Sequence, residues 1–519
     1  GGTSAQTLSN RFNAISSQLT QQKESINGQL STMSDQVNKL TSSIASLNKQ
    51  ISQVQGSTSN APANLLDARN EAVRSLNELI GVTATEKDGQ VNITTGTGQS
   101  LVDGDVANTI SAVPSKNDSS QYTIQINMGS TSMDIGSVVS GGSIGGLMRY
   151  RSDVLMPAIN DLGRLAIVTA DTVNNQLGQG LDLNGDFGSS LFSDINSAAA
   201  ISQRSQGTAG NSAGSGNLNV SIADSSKLTT YDYKVTFTSG NQYNVVRSDG
   251  KAMGSFDTTT TPPPVIDGFT LALDGKGPMA AGDSFKVSPT SNGASGIGVD
   301  LTDPNKLAFA GPLAGVAGKN TGTGTFTPPQ LTVPLDIHGG ADTAQLRTGI
   351  ENSMPVKMVF GDKAADGTQP YTVTDAQGFK IGTGSIIPGQ GNKITINVPM
   401  RDATGAVITG KSFSFDTTVG GSPANNDSTT FSFNSGATSD GRNAQSLLAL
   451  QTKATVGVTD GNGGVSLVSA NSRLVSQVGS KAAQANTDST ATGALLTAVF
   501  QFASTTSCVM RVPRLSSRL

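Results

Sequence analysis

LSNRFNAISSQLTQQKESINGQLSTMSDQVNKLTSSIASLNKQISQV, residues Leu8 to Val54, decides the fold. Its apolar residues Leu8, Phe12, Ile15, Leu19, Ile26, Leu30, Met33, Val37, Leu40, Ile44, Leu47, Ile51 and Val54 are spaced 4, 3, 4, 7, 4, 3, 4, 3, 4, 3, 4 and 3 apart, the single 7 being a seam position filled by Gln22. That alternation is a heptad seam on an α-helix. A helix of roughly 50 residues is about 75 Å long, a rod that cannot cover its own stripe. A plain coiled-coil dimer would cover it, but the seam lacks the charged flanking pairs that select a partner chain. Cover from other helices of the same chain is therefore expected, and specifically from helices near the carboxyl end.

Outward from this rod, Pro62 to Ile80 predicts a second helix, with Pro62 in its first turn and Gly81 just past its end. Strand patterns follow. Gln90–Thr94 and Ser100–Val102 flank Gly96-Thr97-Gly98 and predict a hairpin, and Tyr122–Ile126 alternates like a further strand. Helical spacing returns from Gly145 to about Gln179, with Pro157 placed to kink or restart the helix. Residues 196–300 are β-like, with strand runs at Lys234–Thr238 and Tyr243–Val246 and a stiff Thr261-Pro262-Pro263-Pro264 loop.

Residues 356–433 look like a second version of that region. Val235-Thr236-Phe237 pairs with Met358-Val359-Phe360, Gln242–Val245 with Pro370–Val373, and Gly282-Asp283-Ser284-Phe285 with Gly410-Lys411-Ser412-Phe413, which suggests two related β-domains in tandem. After Gly441 the helical pattern resumes through Leu447, Leu448, Leu450, Leu474, Val475, Val478, Ala482, Ala485, Leu495 and Leu496. The predicted class is α+β multidomain: a long-helix bundle formed by both chain ends, with inserted β-rich, sandwich- or barrel-like domains. The divisions are 1–195 together with 438–519 as the helical rod domain (with a small β-hairpin region at 82–137), 196–310 as a β-rich domain, and 311–437 as a second, variable β-rich domain.

Composition narrows the function. At 519 residues the chain is too long for one core, and about three or four domains are expected. Hydrophobic residues at 35% and aromatics at 4% are low for a compact enzyme. A net charge of −4 gives no basic face for nucleic acid. No apolar run approaches the roughly 20 residues that span a bilayer, and Gly1-Gly2-Thr3 does not begin a signal peptide. One cysteine, Cys508, forbids a disulfide framework within the chain, and one histidine, His338, forbids a multi-histidine metal site.

Three motifs could carry chemistry. Gly405–Ser412 matches the phosphate-loop pattern GxxxxGK[ST], but the mechanism needs a following helix, and Phe413–Thr418 alternates like a strand. Asp182-Leu183-Asn184-Gly185-Asp186 places oxygens at alternate positions as a Ca²⁺ loop does, but Phe187 and Ser193 stand where such a loop wants Gly and Glu. His338, in Asp336-Ile337-His338-Gly339-Gly340, has no nucleophile elbow to serve. No catalytic, cofactor-binding or metal-binding residue is expected, and no enzyme.

Further blocks carry a resemblance. Gly145-Gly146-Leu147-Met148-Arg149-Tyr150-Arg151, Leu155–Ala158, Leu162–Ala166, Asn175-Gln176 and Gly180–Gly185 resemble the flagellar hook-associated protein 1 family. So do Asn64–Arg69, Val91–Ile93 with Gly96–Gly98, Gly441–Ala444 with Leu450-Gln451, and Leu474-Val475 with Val478-Gly479. The resemblance covers roughly residues 1–310 and 438–496. It implies a structural component of the bacterial flagellum at the hook–filament junction. Such a protein is extracellular, secreted by flagellar type III export with an export chaperone, and packs against the hook protein, hook-associated protein 3 and copies of itself. It implies no cofactor, nucleic acid or membrane. The family's opening ANxNTPGY-like helix and closing DEEAANL-like run are absent, and Ser507–Arg514 does not continue the apolar pattern. A truncated or frame-altered terminus is the expectation, leaving a soluble, mainly monomeric fragment. The alternatives are another axial protein such as flagellin or hook-associated protein 3, an enzyme housed in a β-lobe, or a secreted fibre or adhesin with a coiled-coil stalk.

Overall fold

The computed structural model describes residues 2–56 and 60–478. The chain opens on α1 (Gly2–Gln55), 54 residues of unbroken helix, about 80 Å long. Leu8, Phe12, Ile15, Leu19, Ile26, Leu30, Val37, Ile44 and Ile51 are each at most 3% exposed. The seam is not kept to its end, however. Met33, Leu40, Leu47 and Val54 are only half-buried, while Ser34, Thr41 and Asn48 beside them are buried. From Leu30 onward Val37, Ile44 and Ile51 keep the predicted seam, while the positions between them shift by one residue to Ser34, Thr41 and Asn48. The partner there is strand backbone as well as helix, and small or amide side chains admit a closer approach than leucine.

α2 (Ala63–Leu79) packs along α1. Pro62 stands one residue outside it as the cap, and the chain leaves at Ile80. Two small antiparallel sheets follow. The first joins β1 (Val82–Lys87), β2 (Gln90–Thr95), β3 (Gln99–Asp103) and β4 (Val106–Ala107) in sequence order. The second joins β5 (Thr109–Pro114), β6 (Tyr122–Met128) and β7 (Thr131–Asp134). The expected hairpin is β2–β3. The hairpin β1–β2 was not anticipated, although Asp88-Gly89 marks it: both residues have positive φ, 53° and 76°, as a two-residue type I′ turn requires.

The predicted helix after Gly145 is two helices in line, α3 (Gly142–Tyr150) and α4 (Met156–Leu177), joined by one π-helical turn at Arg151–Leu155. Pro157 sits in the first turn of α4. The wider turn before it absorbs the lost donor, so the axis continues rather than breaks. α4 is covered on most sides and includes buried Asn160, Asp161, Thr169 and Asn174. Gly163 is obligatory there: a Cβ would lie 1.7 Å from the Thr290 carbonyl oxygen.

Two β-lobes follow. The first comprises α5 (Ala198–Gln203), β8 (Ser205–Gly207), β9 (Leu218–Ile222), β10 (Tyr233–Phe237), β11 (Gln242–Arg247), β12 (Ala252–Asp257), β13 (Phe269–Leu273) and β14 (Ser284–Val287), closed by α6 (Gly293–Gly296). The second comprises β15 (Leu313–Ala317), β16 (Thr325–Phe326), β17 (Gln330–Leu331), α7 (Gly340–Ser353), β18 (Val356–Phe360), β19 (Gln369–Thr374), β20 (Lys380–Ile386), β21 (Asn392–Arg401), β22 (Val407–Gly420) and β23 (Ser428–Phe433).

Their main sheets have the same antiparallel order. β12-β11-β10-β14-β8 in the first corresponds to β20-β19-β18-β23-β15 in the second. Phe237 pairs with Tyr243 and Phe360 with Tyr371, so the first two proposed sequence correspondences hold in register. The third does not. Gly410–Phe413 lies in β22, which pairs with β21 in the other sheet. The true counterpart of Gly282-Asp283-Ser284 is Asn426-Asp427-Ser428: Gly282 N–H donates to Phe237 O as Asn426 N–H does to Phe360 O. Gly282 and Asn426 share a positive φ, which Asn tolerates best after Gly.

The second lobe has its own core, running from Leu313 to Phe431, while the first lobe shares one continuous core with the helical part. The chain then forms α8 (Arg442–Ala449), an unforeseen short hairpin of β24 (Ala454–Val456) with β25 (Val465–Ser466), and α9 (Leu467–Val478). Among the described residues α8 and α9 pack on α4, and the elements along α1 are α2, α3, α4, α6 and strands β2 to β6. Among the described residues, then, earlier elements cover the rod, and α4 touches α1 as well as α8 and α9. Ala482, Ala485, Leu495, Leu496, Cys508 and the basic tail lie outside the described residues.

Candidate functional site

The geometry of this chain is concentrated in three sets of polar contacts that fix the β-elements to the helical rod. The first is a row of asparagines on α1. Asn48 accepts from the N–H of Val91 (3.1 Å) and donates to the carbonyls of Val91 (2.9 Å) and Gly104 (2.7 Å). Asn38 does the same for Ile110, accepting its N–H and donating to its carbonyl, both at 2.8 Å. Asn27 accepts from Tyr122 N–H and donates to Ser120 O, each at 2.9 Å. Asn13 donates to Ala294 O at 2.8 Å. An Asn side chain is an amide, with the donor and acceptor of a peptide. Three of these residues thus act on strand or loop backbone as a neighbouring strand would. Arg69 of α2, buried, donates to Asn48 Oδ1 and Gly89 O, tying the second helix into the same contact.

The second set holds the first lobe. Lys286 Nζ on β14 lies 2.6 Å from Asp118 Oδ2 in the β5–β6 loop, with Asp232 at 3.9 Å. Burial pushes the Asp118 carboxyl up, but the Lys286 ammonium and bonds from Ser120 and Gln121 outweigh it and hold it well below the usual carboxylate range. Gln206, oriented so that both its amide atoms are satisfied, donates to Asp118 and accepts from Ser119. Beside this latch is a cleft of about 500 Å³ that includes Arg151, Lys234 and Arg247. Arg151 is committed to the Tyr122 carbonyl (2.7 Å), and Arg247 to Asp249 and Asp267.

The third set is the root of the second lobe. Gln179 at the end of α4 accepts from Leu335 N–H (2.7 Å) and donates to Leu335 O (2.6 Å). Asn443 donates to Gln176 O and Ala308 O, and Arg442 donates to Leu313 O and Pro329 O while pairing with Asp440.

The motifs singled out in the sequence fall as follows. Gly405–Ser412 is a turn at Asp402–Ala406 running into strand β22, with no helix after it. The Asp182 carboxylate is occupied by the N–H groups of Asn184 and Asp186 (2.8 and 3.0 Å), so the loop is an Asp-capped turn. His338 bonds Asp171 at 2.7 Å. Among the described residues no group of three or more His, Cys, Asp and Glu is placed to hold a metal, and no helix is long and apolar enough to cross a membrane. The sequence reading missed the asparagine row, which looks like any polar helix face until its partners are placed.

The family model for the flagellar hook-associated protein FlgK helical domain matches residues 2–192, and that for the D2-like domain of flagellar hook-associated protein 1 matches residues 207–289, together more than half of the chain. The chain belongs to the flagellar hook-associated protein 1 family. It is 33% identical over 307 residues to flagellar hook-associated protein 1 of Escherichia coli K12, covering 58% of this chain and 54% of that protein. The Salmonella typhimurium protein of the same name is 32% identical over 315 residues, covering 59% and 54%. The chain thus spans about half the length of these curated relatives. A solved structure, the flagellar hook junction protein FlgK of Burkholderia pseudomallei, superposes with a TM-score of 0.73 at 28% identity over 96% of this chain and 87% of that one. The hook-associated protein 1 models end at residue 289, before the second lobe, yet the superposition extends over nearly the whole chain.

Proposed function

We propose that this chain is a structural component of the bacterial flagellum that joins hook to filament as hook-associated protein 1. The observation that carries this reading is a self-covered helical rod with two β-lobes braced on it by backbone-directed contacts, superposable over nearly its length on a flagellar hook junction protein. In this reading the protein is not an enzyme, and its polar residues serve as braces. Both chain ends contribute to one bundle, with α4 as the meeting point of α1 with α8 and α9. The chain divides into 1–195 with 438–519, then 196–310, then 311–437. Separate apolar cores on either side of residue 311 support the last boundary.

The partners in this reading are the hook protein, hook-associated protein 3 and neighbouring copies in the axial lattice. An export chaperone acts before secretion through the flagellar type III route to the cell exterior. A chain with a single cysteine needs no oxidative folding after passing unfolded through a channel.

Deleting the gene in its source bacterium tests the reading. Hooks retained without filaments, with flagellin shed into the medium, is the expected result; normal motility and filaments would refute it. Light scattering separates the fibre alternative, for which a stable trimer is expected.

A further inference from the structure

The chain's single histidine stands at a three-way junction. Asp171 lies in the second half of α4, the helix that carries both lobes. Its Oδ1 lies 2.7 Å from His338 Nε2, at the root of the second lobe, and its Oδ2 accepts from Ser225 Oγ of the first lobe at 2.7 Å. One carboxylate therefore ties the rod to both β-lobes. His338 is presented stiffly. Its N–H donates to Asp336 Oδ1 (2.9 Å), Gly339 N–H donates to Asp336 O (2.9 Å), and Thr343 Oγ1 on α7 also donates to Asp336 O (2.6 Å). Three residues before His338, Leu335 is held by Gln179 at both its amide and its carbonyl.

We propose that His338 and Asp171 form a pH-operated clamp that sets how firmly the root of the second lobe is held to α4. The charged groups acting most strongly on the imidazole are the carboxylates of Asp171 on α4, Asp336 in its own turn and Asp194 in the segment after α4, with Ser225 of the first lobe on the far oxygen of Asp171 and Arg347 of α7 turned to the Gly178 carbonyl. Protonated, Nε2–H makes a charge-assisted bond to Asp171. Deprotonated, it makes a neutral one, or none if the proton resides on Nδ1. The bond to Asp171, opposed in part by burial, raises the imidazole's affinity for its proton above the ordinary 6.5. A raised folded-state pKa means the clamp is fully engaged below pH 6.5 and is released as pH rises through the folded-state value. The His338 side chain is 30% exposed, so water screens the pair and the effect is graded rather than all-or-none.

One histidine makes the test self-assigning: isotope-labelled histidine in the full chain gives one imidazole to titrate by NMR. The expected midpoint lies above 6.5 in the parent protein and falls towards 6.5 in Asp171→Asn, while Ser225→Ala, which leaves the clamp in place, keeps it raised. Hydrogen exchange of residues 333–338, corrected for its intrinsic pH dependence, should quicken about two- to fivefold above the midpoint, the range of a partly exposed ion pair. His338→Gln should remove that pH dependence without unfolding the lobe. A parent midpoint at or below 6.5, or exchange that ignores pH in the parent protein, overturns the proposal.

Discussion

Asp427 in the second lobe occupies the position that Asp283 holds in the first. Asp283 accepts the N–H groups of Ser212 and Ala280 at 2.8 and 2.9 Å; Asp427 accepts those of Thr321, Gly322 and Ala424 at 2.8 to 2.9 Å. An asparagine completes each clasp. Asn211 exchanges two hydrogen bonds with the backbone of Ser284, and Asn320 exchanges two with that of Ser428. Two lobes of different length thus share one device, a buried carboxylate and an amide that gather a loop onto the edge of the central sheet.

Replacing Asp427 with alanine should destabilise the second lobe by about 3 kcal/mol, because buried N–H donors lose an ionised acceptor. Asp283→Ala should do the same to the first lobe. The second lobe has a separate core, so calorimetry of Asp427→Ala should shift one transition and leave the other. A uniform shift would show that the lobes unfold together.

Acid should act through the same pair. Burial opposes ionisation at Asp283, but its backbone and serine donors prevail and lower its pKa from 3.8 to about 2; the Asp427 pKa is lowered by the same balance. A depressed carboxylate stabilises the fold above its unfolded pKa, and that contribution is lost as pH falls through the folded value. Lobe stability should therefore decline between about pH 4 and pH 2. In Asp283→Asn, with its carboxylate gone, that slope should be shallower.

The asparagine row makes a sharper demand on α1. Asn48→Ala strands the Val91 N–H and the Val91 and Gly104 carbonyls in a buried setting and takes one acceptor from the Arg69 guanidinium, which keeps the Gly89 carbonyl. A loss of about 3 kcal/mol is expected from several unsatisfied groups. Asn38→Ala, with two bonds to one residue, should cost about half as much, and Gln50→Ala, exposed on the same helix, close to nothing. Urea denaturation ranks the three, and equal effects would show that helix propensity rather than bonding decides.

The sequence was legible where apolar spacing alone determines structure. Leu8 to Ile26 on α1, the β2–β3 hairpin and Leu155 to Leu177 on α4 were all readable, because burial of a stripe needs no knowledge of the partner. It was illegible where the partner chooses. Beyond Leu30 every second seam position passes to Ser34, Thr41 and Asn48 because backbone approaches there, and no periodicity distinguishes Asn48 from the exposed Gln50. The third repeat block failed for a related reason. Gly410-Lys411-Ser412-Phe413 resembles Gly282-Asp283-Ser284-Phe285 in letters, but the chemistry resides in the aspartate and the left-handed residue before it. Asn426 supplies that conformation as Gly282 does. Aligning on the aspartate instead of the glycine finds the true pair.

The latch of the first lobe should be separable from its stability. Lys286 and Asp118 are 19% and 12% exposed, dry enough for the pair to be felt yet at the margin of the lobe. Lys286→Ala leaves Asp118 with its Ser120 and Gln121 donors, so the carboxylate is not stranded, and a loss of about 1 kcal/mol is expected. The larger effect should be positional. Residues 115–121 and 205–209 are joined through Asp118, Gln206 and the Ala209–Lys116 backbone bond, and their amide exchange should rise together in the variant. Asp118→Asn should raise the same amides, and the double variant no further, because the two changes remove one interaction. Additive increases would mean that Lys286 and Asp118 hold the lobe independently, with Asp232, 3.9 Å from the ammonium, taking the larger share of the lysine's charge.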